Sequence, residues 1–249
     1  MSLCEYCVTG VIHEGVAEGK FEKVGGIECY VATPTKDYAK DTVILHLTDL
    51  FGIQLINHQL LADSYARNGL KVVVPDILFG DAVPLSALSG DSDFDFDAWL
   101  GNHGPNVMKP IVEKVITALK AEGVTKFGVI GYCYGARGAV DLAFLGVPSA
   151  VVLNHPFLLQ IPADLEKYKE VSKASLLINS CETDPMFPQD AQAKADELFA
   201  SGFAPGYKRL FWEGCAHGFS VRGDLSDPKV KAGKEGAFKE AVKFFKKHL

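Results

Sequence analysis

The stretch Lys126-Phe127-Gly128-Val129-Ile130-Gly131-Tyr132-Cys133-Tyr134-Gly135-Ala136-Arg137 decides the fold. Its first five residues read as a β-strand that is apolar after the opening lysine. A strand has that character when helices cover both faces of its sheet. A helical pattern, Ala136–Leu145, follows at once. Between them lies a turn with a glycine at each end and a cysteine in the middle. A side chain at the tip of such a turn needs a crowded backbone conformation, and glycines two residues to either side relieve the crowding. The helix N-terminus behind the turn favours negative charge there. A free thiol titrates near ~8.5 and a helix start lowers that value, so Cys133 is placed to act as a thiolate nucleophile. Two readings compete. One is a buried structural cysteine. The other is a dinucleotide-binding turn, which needs G-x-G-x-x-G, whereas here the glycines fall at Gly131, Gly135 and Gly138.

Outward from the turn, short β-rich runs alternate with helical patterns. The candidate strands are Ile27–Ala32, Thr42–Leu47, Leu70–Pro75, Lys126–Ile130, Ser149–Asn154, Ser175–Ser180 and Tyr207–Trp212. Helical periodicity marks Asn57–Asn68, Ala191–Ala200 and the C-terminal stretch with Phe238, Val242, Phe245 and Leu249 on one stripe. It also marks the stretch after Pro110, where proline suits the first turn and Gly123 closes the end. This alternation, without a linker-like tract, predicts one α/β domain over residues 1–249 with a mostly parallel sheet flanked by helices. Asp81–Asn106 breaks the rhythm, being rich in Gly, Pro, Asp and Ser with interleaved aromatics that include Trp99. It reads either as a lid over a pocket or as a mobile surface loop.

Composition narrows the function classes. The chain carries 25 Lys and Arg against 31 Asp and Glu, a net charge of −6, so phosphate backbones and anionic lipid are repelled. Neither nucleic acid nor a membrane is an expected partner; a small molecule is, and a homodimer is compatible with the reading. The start, MSLCEYCVTG, lacks the basic and apolar regions of a signal peptide, and no apolar run approaches the ~20 residues of a membrane helix. Six cysteines in so apolar a chain then read as reduced thiols, and the expected location is the cytoplasm. Cys4-x-x-Cys7 followed by His13 begins like a metal site but completes no four-ligand framework, so a packed N-terminal strap is expected. Asp91-Ser92-Asp93 opens like a calcium loop, yet Phe96 and Asn102 fill the positions that need Gly and Glu. No metal or cofactor is expected.

Downstream of the turn the chain supplies an acid and then a base. Asp184 follows the strand Ser175–Ser180, and His217 follows the strand Tyr207–Trp212. Nucleophile, acid and histidine, each just beyond the C-terminal end of a strand, is the chain order of α/β-hydrolases. Strand C-termini are also where open α/β sheets place ligands. In that arrangement His217 moves the proton of Cys133, and Asp184 sets its tautomer and stabilises its cation. Singly, Asp184 reads as a helix N-cap and His217 as a turn histidine. His155, at a strand end, and His103, in the Asp81–Asn106 segment, read as pocket-lining or structural residues.

Six collinear strings carry a family resemblance: LTDLFG (Leu47–Gly52), VVPDILFGD (Val73–Asp81), GYCYGAR (Gly131–Arg137), NHPF (Asn154–Phe157), CETDPMFP (Cys181–Pro188) and AHGFSVRGD (Ala216–Asp224). The chain resembles the dienelactone hydrolase family, its fungal members in particular, over most of its length. The resemblance implies an α/β-hydrolase fold and hydrolysis of an ester or lactone by Cys133, Asp184 and His217. It implies an oxyanion hole from the backbone N–H groups of Leu50 and Tyr134, of which the second also follows from the turn motif. Bacterial members place a glutamate that modulates the cysteine where this chain has Asp49, one methylene shorter. Arg222 resembles the family's carboxylate-binding arginine at a spacing one residue longer; its competing reading is a surface arginine paired with Asp224. Arg137 reads as a substrate contact or a loop brace. Two alternatives stay open: a thioesterase or carboxylesterase of other acyl preference, and a binding protein that keeps the hydrolase shell.

Overall fold

The computed structural model describes residues 5–89 and 94–249. Eight strands form one sheet: β1 (Lys20–Val24), β2 (Ile27–Ala32), β3 (Thr42–Leu47), β4 (Val72–Pro75), β5 (Lys126–Tyr132), β6 (Ala150–Asn154), β7 (Ser175–Thr183) and β8 (Tyr207–Ala216). Their spatial order is β1-β2-β4-β3-β5-β6-β7-β8. Only the β1/β2 and β2/β4 pairings are antiparallel. The others are parallel, from β4/β3 through to β7/β8. Every residue of β3, β4 and β6 is buried, as two-faced coverage of a central strand requires.

That coverage comes from two groups of helices. The first contains α1 (Ile56–Arg67), the short α7 (Phe219–Arg222) and α8 (Pro228–His248), which pack in succession. The second runs α3 (Pro105–Ala121), α4 (Gly135–Phe144), α5 (Ala163–Val171) and α6 (Gln189–Ala200). The sheet and helix pattern is the predicted α/β-hydrolase architecture.

Several local outcomes differ from the sequence reading. The helix expected to open at Pro110 starts at Pro105, with Gly104 as N-cap and Pro110 inside it. Pro110 forgoes a bond to the carbonyl of Asn106, but both residues are exposed at the helix start, where water can serve that carbonyl. The edge strand β1 was not anticipated; four of its five residues are exposed, so it lacks a hydrophobic period. The Asp81–Asn106 segment contains a helix, α2 (Phe96–Asn102), capped by the Asp95 side chain. Its Phe96 and Trp99 are buried, and Trp99 Nε1 donates to the Asp81 carbonyl at 2.7 Å. Residues 90–93, the centre of that segment and of the calcium-like run, lie outside the described residues.

Residues 8–19 form an extended strap leading into β1. Val11 N–H donates to Arg222 O at 2.9 Å, and the N–H groups of Glu18 and Gly19 donate to Asp63 at 2.8 and 3.1 Å. The strap thus crosses from α7 along α1, over the C-terminal edge of the sheet.

Candidate active site

Cys133 sits at the end of β5 with φ +48°, in the left-handed region that a side chain enters only when its surroundings enforce it. Two hydrogen bonds do so: Cys133 N–H donates to Asn154 O at 3.1 Å, and Phe157 N–H donates to Cys133 O at 3.0 Å. Both flanking glycines are sterically required. A Cβ on Gly131 would lie 2.6 Å from Ala136 Cα, and one on Gly135 would lie 2.3 Å from Leu47 O. The turn is therefore pressed against the end of β3. Among the described residues neither the Leu50 nor the Tyr134 backbone N–H finds an acceptor.

Asp184 and His217 meet although 33 residues separate them. His217 N–H donates to Thr183 O at 2.9 Å, which ties the loop after β8 to the end of β7. His217 Nδ1 then lies 2.8 Å from Asp184 Oδ1. The same carboxylate oxygen accepts from the N–H groups of Met186 and Phe187 at 3.0 and 3.1 Å, which fixes its direction. Burial pulls the His217 imidazole down. The Asp184 charge and hydrogen bond, with the neighbouring Cys7 thiol, outweigh burial and push it up to about 10.

Cys133, His217 and, unexpectedly, Cys7 come together. One ligating atom from each lies within 4.8 Å of the others. Cys133 and Cys7 are fully buried, and Asp184 and His217 are 4% and 3% exposed. Cys7 ends a 3-10 turn directly before the strap. No local signal announces this contact, because it joins residue 7 to residues more than a hundred positions away. The sequence-level hint was the Cys4-x-x-Cys7 spacing followed by His13, but His13 turns elsewhere, its Nε2 lying 2.9 Å from Gly223 O. Cys4 lies outside the described residues.

Asp49 and Arg222 are brought together, away from solvent. Arg222 Nη1 donates to Asp49 Oδ2 in a closely paired ion bridge. Nη2 donates to Cys7 O at 3.0 Å and Tyr6 O at 3.3 Å, and Nε to Thr9 O at 3.1 Å. Arg222 thus pairs with Asp49 rather than with the exposed Asp224, and it clamps the strap. Asp49 Oδ1 is also 3.0 Å from His58 Nε2, and His58 Nδ1 is 2.8 Å from His46 Nε2. Sequence reading missed His58, whose place on α1 looked like ordinary helical patterning. Burial raises the Asp49 carboxyl, but Arg222 and His58 outweigh it and hold it well below the usual carboxylate range.

The remaining candidates frame the site. His155 is fully buried with its ring 4.9 Å from that of His217, and its Nε2 lies 2.8 Å from Ser220 Oγ. Burial, then the His217 and Arg222 charges, hold His155 well below its ordinary value, so it stays neutral. Trp99 stacks on His103 at 4.2 Å, and the His103 carbonyl accepts from Tyr134 Oη at 2.8 Å. These residues brace the side chain that follows the nucleophile. Arg137 bridges Asp141 and Asp164, tying α4 to α5.

Comparison with known proteins places the chain in a family. The sequence profile of the dienelactone hydrolase family matches residues 27–249. The hydrolase pyvD of Aspergillus violaceofuscus is 32% identical over 98% of this chain and 96% of its own length. Dienlactone hydrolase 1 of Gibberella moniliformis is 30% identical, covering 96% and 91%. A candidate dienelactone hydrolase from Klebsiella pneumoniae superposes with a TM-score of 0.71 over 95% of this chain and 96% of that one, at 14% identity, a likeness of fold. With the family profile spanning the whole sheet from β2 onward, and with relatives matched nearly end to end, the chain is an ester or lactone hydrolase and belongs to the dienelactone hydrolase family.

Proposed function

We propose that this hydrolase works through Cys133 as nucleophile, His217 as proton carrier and Asp184 as the group that orients it. Made strongly basic by Asp184, His217 holds the proton of the Cys133–His217 pair, and the sulfur attacks the carbonyl carbon of the ester or lactone. Negative charge develops on the carbonyl oxygen, where the Leu50 and Tyr134 N–H groups can receive it. Collapse of the tetrahedral intermediate breaks the C–O bond. His217 returns its proton to the leaving alkoxide and leaves a thioester on Cys133. Water then loses a proton to His217, attacks the thioester and releases the acid, and the proton goes back to sulfur.

The observation that carries this reading is the conjunction at Cys133. A left-handed nucleophile turn carries a sulfur within 4.8 Å of a ring nitrogen of a histidine whose Nδ1 is held by a carboxylate at 2.8 Å. Arg222 narrows the substrate. Its charge is already matched by Asp49 and the carbonyls of Tyr6, Cys7 and Thr9, so we infer a neutral ester or lactone rather than one bearing a carboxylate. The test is steady-state hydrolysis of a carboxylate-bearing dienelactone beside p-nitrophenyl acetate, with wild type and Cys133→Ala. The expected result is loss of both activities in the folded variant and no preference for the anionic lactone in wild type. Undiminished hydrolysis by Cys133→Ala sinks the nucleophile assignment. A strong preference for the anionic lactone sinks the substrate inference.

A further inference from the structure

The hydrolytic steps give Cys7 no task, yet the strap carries its sulfur to the two reacting side chains. Cys7 Sγ, Cys133 Sγ and one His217 ring nitrogen all lie within 4.8 Å of one another. Two sulfurs and an imidazole form a soft donor set, suited to zinc rather than to magnesium or calcium. A second, independent feature points the same way. His217 Nδ1 is anchored on Asp184 Oδ1 at 2.8 Å. A carboxylate behind the far nitrogen is the support that zinc-binding histidines usually have.

We propose that Cys7, Cys133 and His217 form a three-ligand site for a zinc-class divalent cation, which holds the enzyme inactive while bound. On loading, the Cys7 thiol releases one proton and the Cys133–His217 pair releases the one it shares, so two thiolates and a neutral imidazole meet the cation, the buried centre carries no net charge and two protons leave to water. Around a tetrahedral zinc with Zn–S of ~2.3 Å and Zn–N of ~2.0 Å, ligating atoms stand roughly 3.5–3.8 Å apart. The three atoms need draw together only slightly, and Cys7 lies next to a strap without regular secondary structure that can follow. Occupancy takes the nucleophile and the proton carrier at once. The inhibition rests on the proposed roles of Cys133 and His217, whereas the binding does not.

The experiment titrates reduced, metal-stripped protein with Co²⁺ and then Zn²⁺. It follows thiolate-to-cobalt absorption, with hydrolysis of p-nitrophenyl acetate in parallel. Wild type should bind one cobalt with thiolate bands that zinc removes, and zinc should stop hydrolysis until a chelator is added. Cys7→Ser should weaken the bands and raise the zinc needed for inhibition by at least about tenfold. Asp184→Asn should lower cobalt affinity about 10- to 100-fold through the lost support of His217. Cys29→Ser, altered in β2 away from the site, should bind as wild type does. Circular dichroism checks the fold of each variant, and Cys7→Ala stands in if Cys7→Ser does not fold. Absence of thiolate bands in wild type overturns the proposal, as do equal bands in a folded Cys7 variant. Cobalt binding through Cys7 in a protein that hydrolyses no ester supports the site and overturns the hydrolytic roles instead.

Discussion

Asp49 and Arg222 are both sealed from solvent, and each is the other's main counter-charge. Removing one partner leaves the other buried and uncompensated, which typically costs about 3–5 kcal/mol. Arg222→Met should therefore lower the urea midpoint sharply, and Asp49→Asn should do the same through the stranded guanidinium. The double variant should lose clearly less than the sum of the two, because neither charge is then left alone. Strictly additive losses would mean that the strap carbonyls and His58, rather than the pair itself, neutralise these groups. At this scale the sequence revealed the chemistry of single residues better than their partners. Arg222 was recognised as a charge of consequence, but its partner lies 173 positions away, across a fold that spacing cannot measure.

The strap runs from Cys7, which stands beside Cys133, along α1, and Asn57 of α1 is its central tie. Asn57 Nδ2 donates to Val11 O and Val221 O, both at 2.9 Å, and Asn57 Oδ1 accepts from His13 N–H at 2.9 Å. Asn57→Ala removes all three bonds and leaves strap groups without partners, a change of about 1–3 kcal/mol. The expected outcome is faster limited proteolysis within residues 8–16 at little change in global unfolding, with a raised rate of p-nitrophenyl acetate hydrolysis. Unaltered cleavage and rate would show that the remaining ties, to Arg222, Gly223 and Asp63, secure the strap. The strap also marks where sequence reading stops. β2 and β3 were legible to the residue because buried β-branched runs announce themselves. β1, exposed along most of its length, and α5, mostly polar with only Leu165 and Tyr168 buried, carry too little apolar pattern to be seen. A strap without periodicity could be placed only as a packed N-terminal segment.

For the molecule as a whole, the fold and the order Cys133, Asp184, His217 were legible because each sits on a short motif at a strand end. The closing of the site was not, because it depends on packing between distant segments. One such packing contact sets a global pH dependence. The Lys234 ammonium on α8 is tucked against α7, donating to Ser220 O at 3.1 Å and Val221 O at 2.7 Å. Burial, then the Arg222 charge, lower it to about 7 against the smaller opposing pull of Asp49, and His13 also faces it. Between about pH 7 and 10.5 the unfolded chain holds this proton and the folded one has largely lost it, so stability should rise with pH. The slope for one such proton is at most ~1.4 kcal/mol per pH unit. Below pH 7 both states are protonated and the penalty is constant. Urea unfolding at pH 7.5 and 8.5 should give a positive difference in wild type that shrinks in Lys234→Met, where no proton is exchanged at this position. Parallel curves for the two proteins would show that the ammonium stays charged in the folded state, and that α8 docks on α7 without the burial inferred from its contacts.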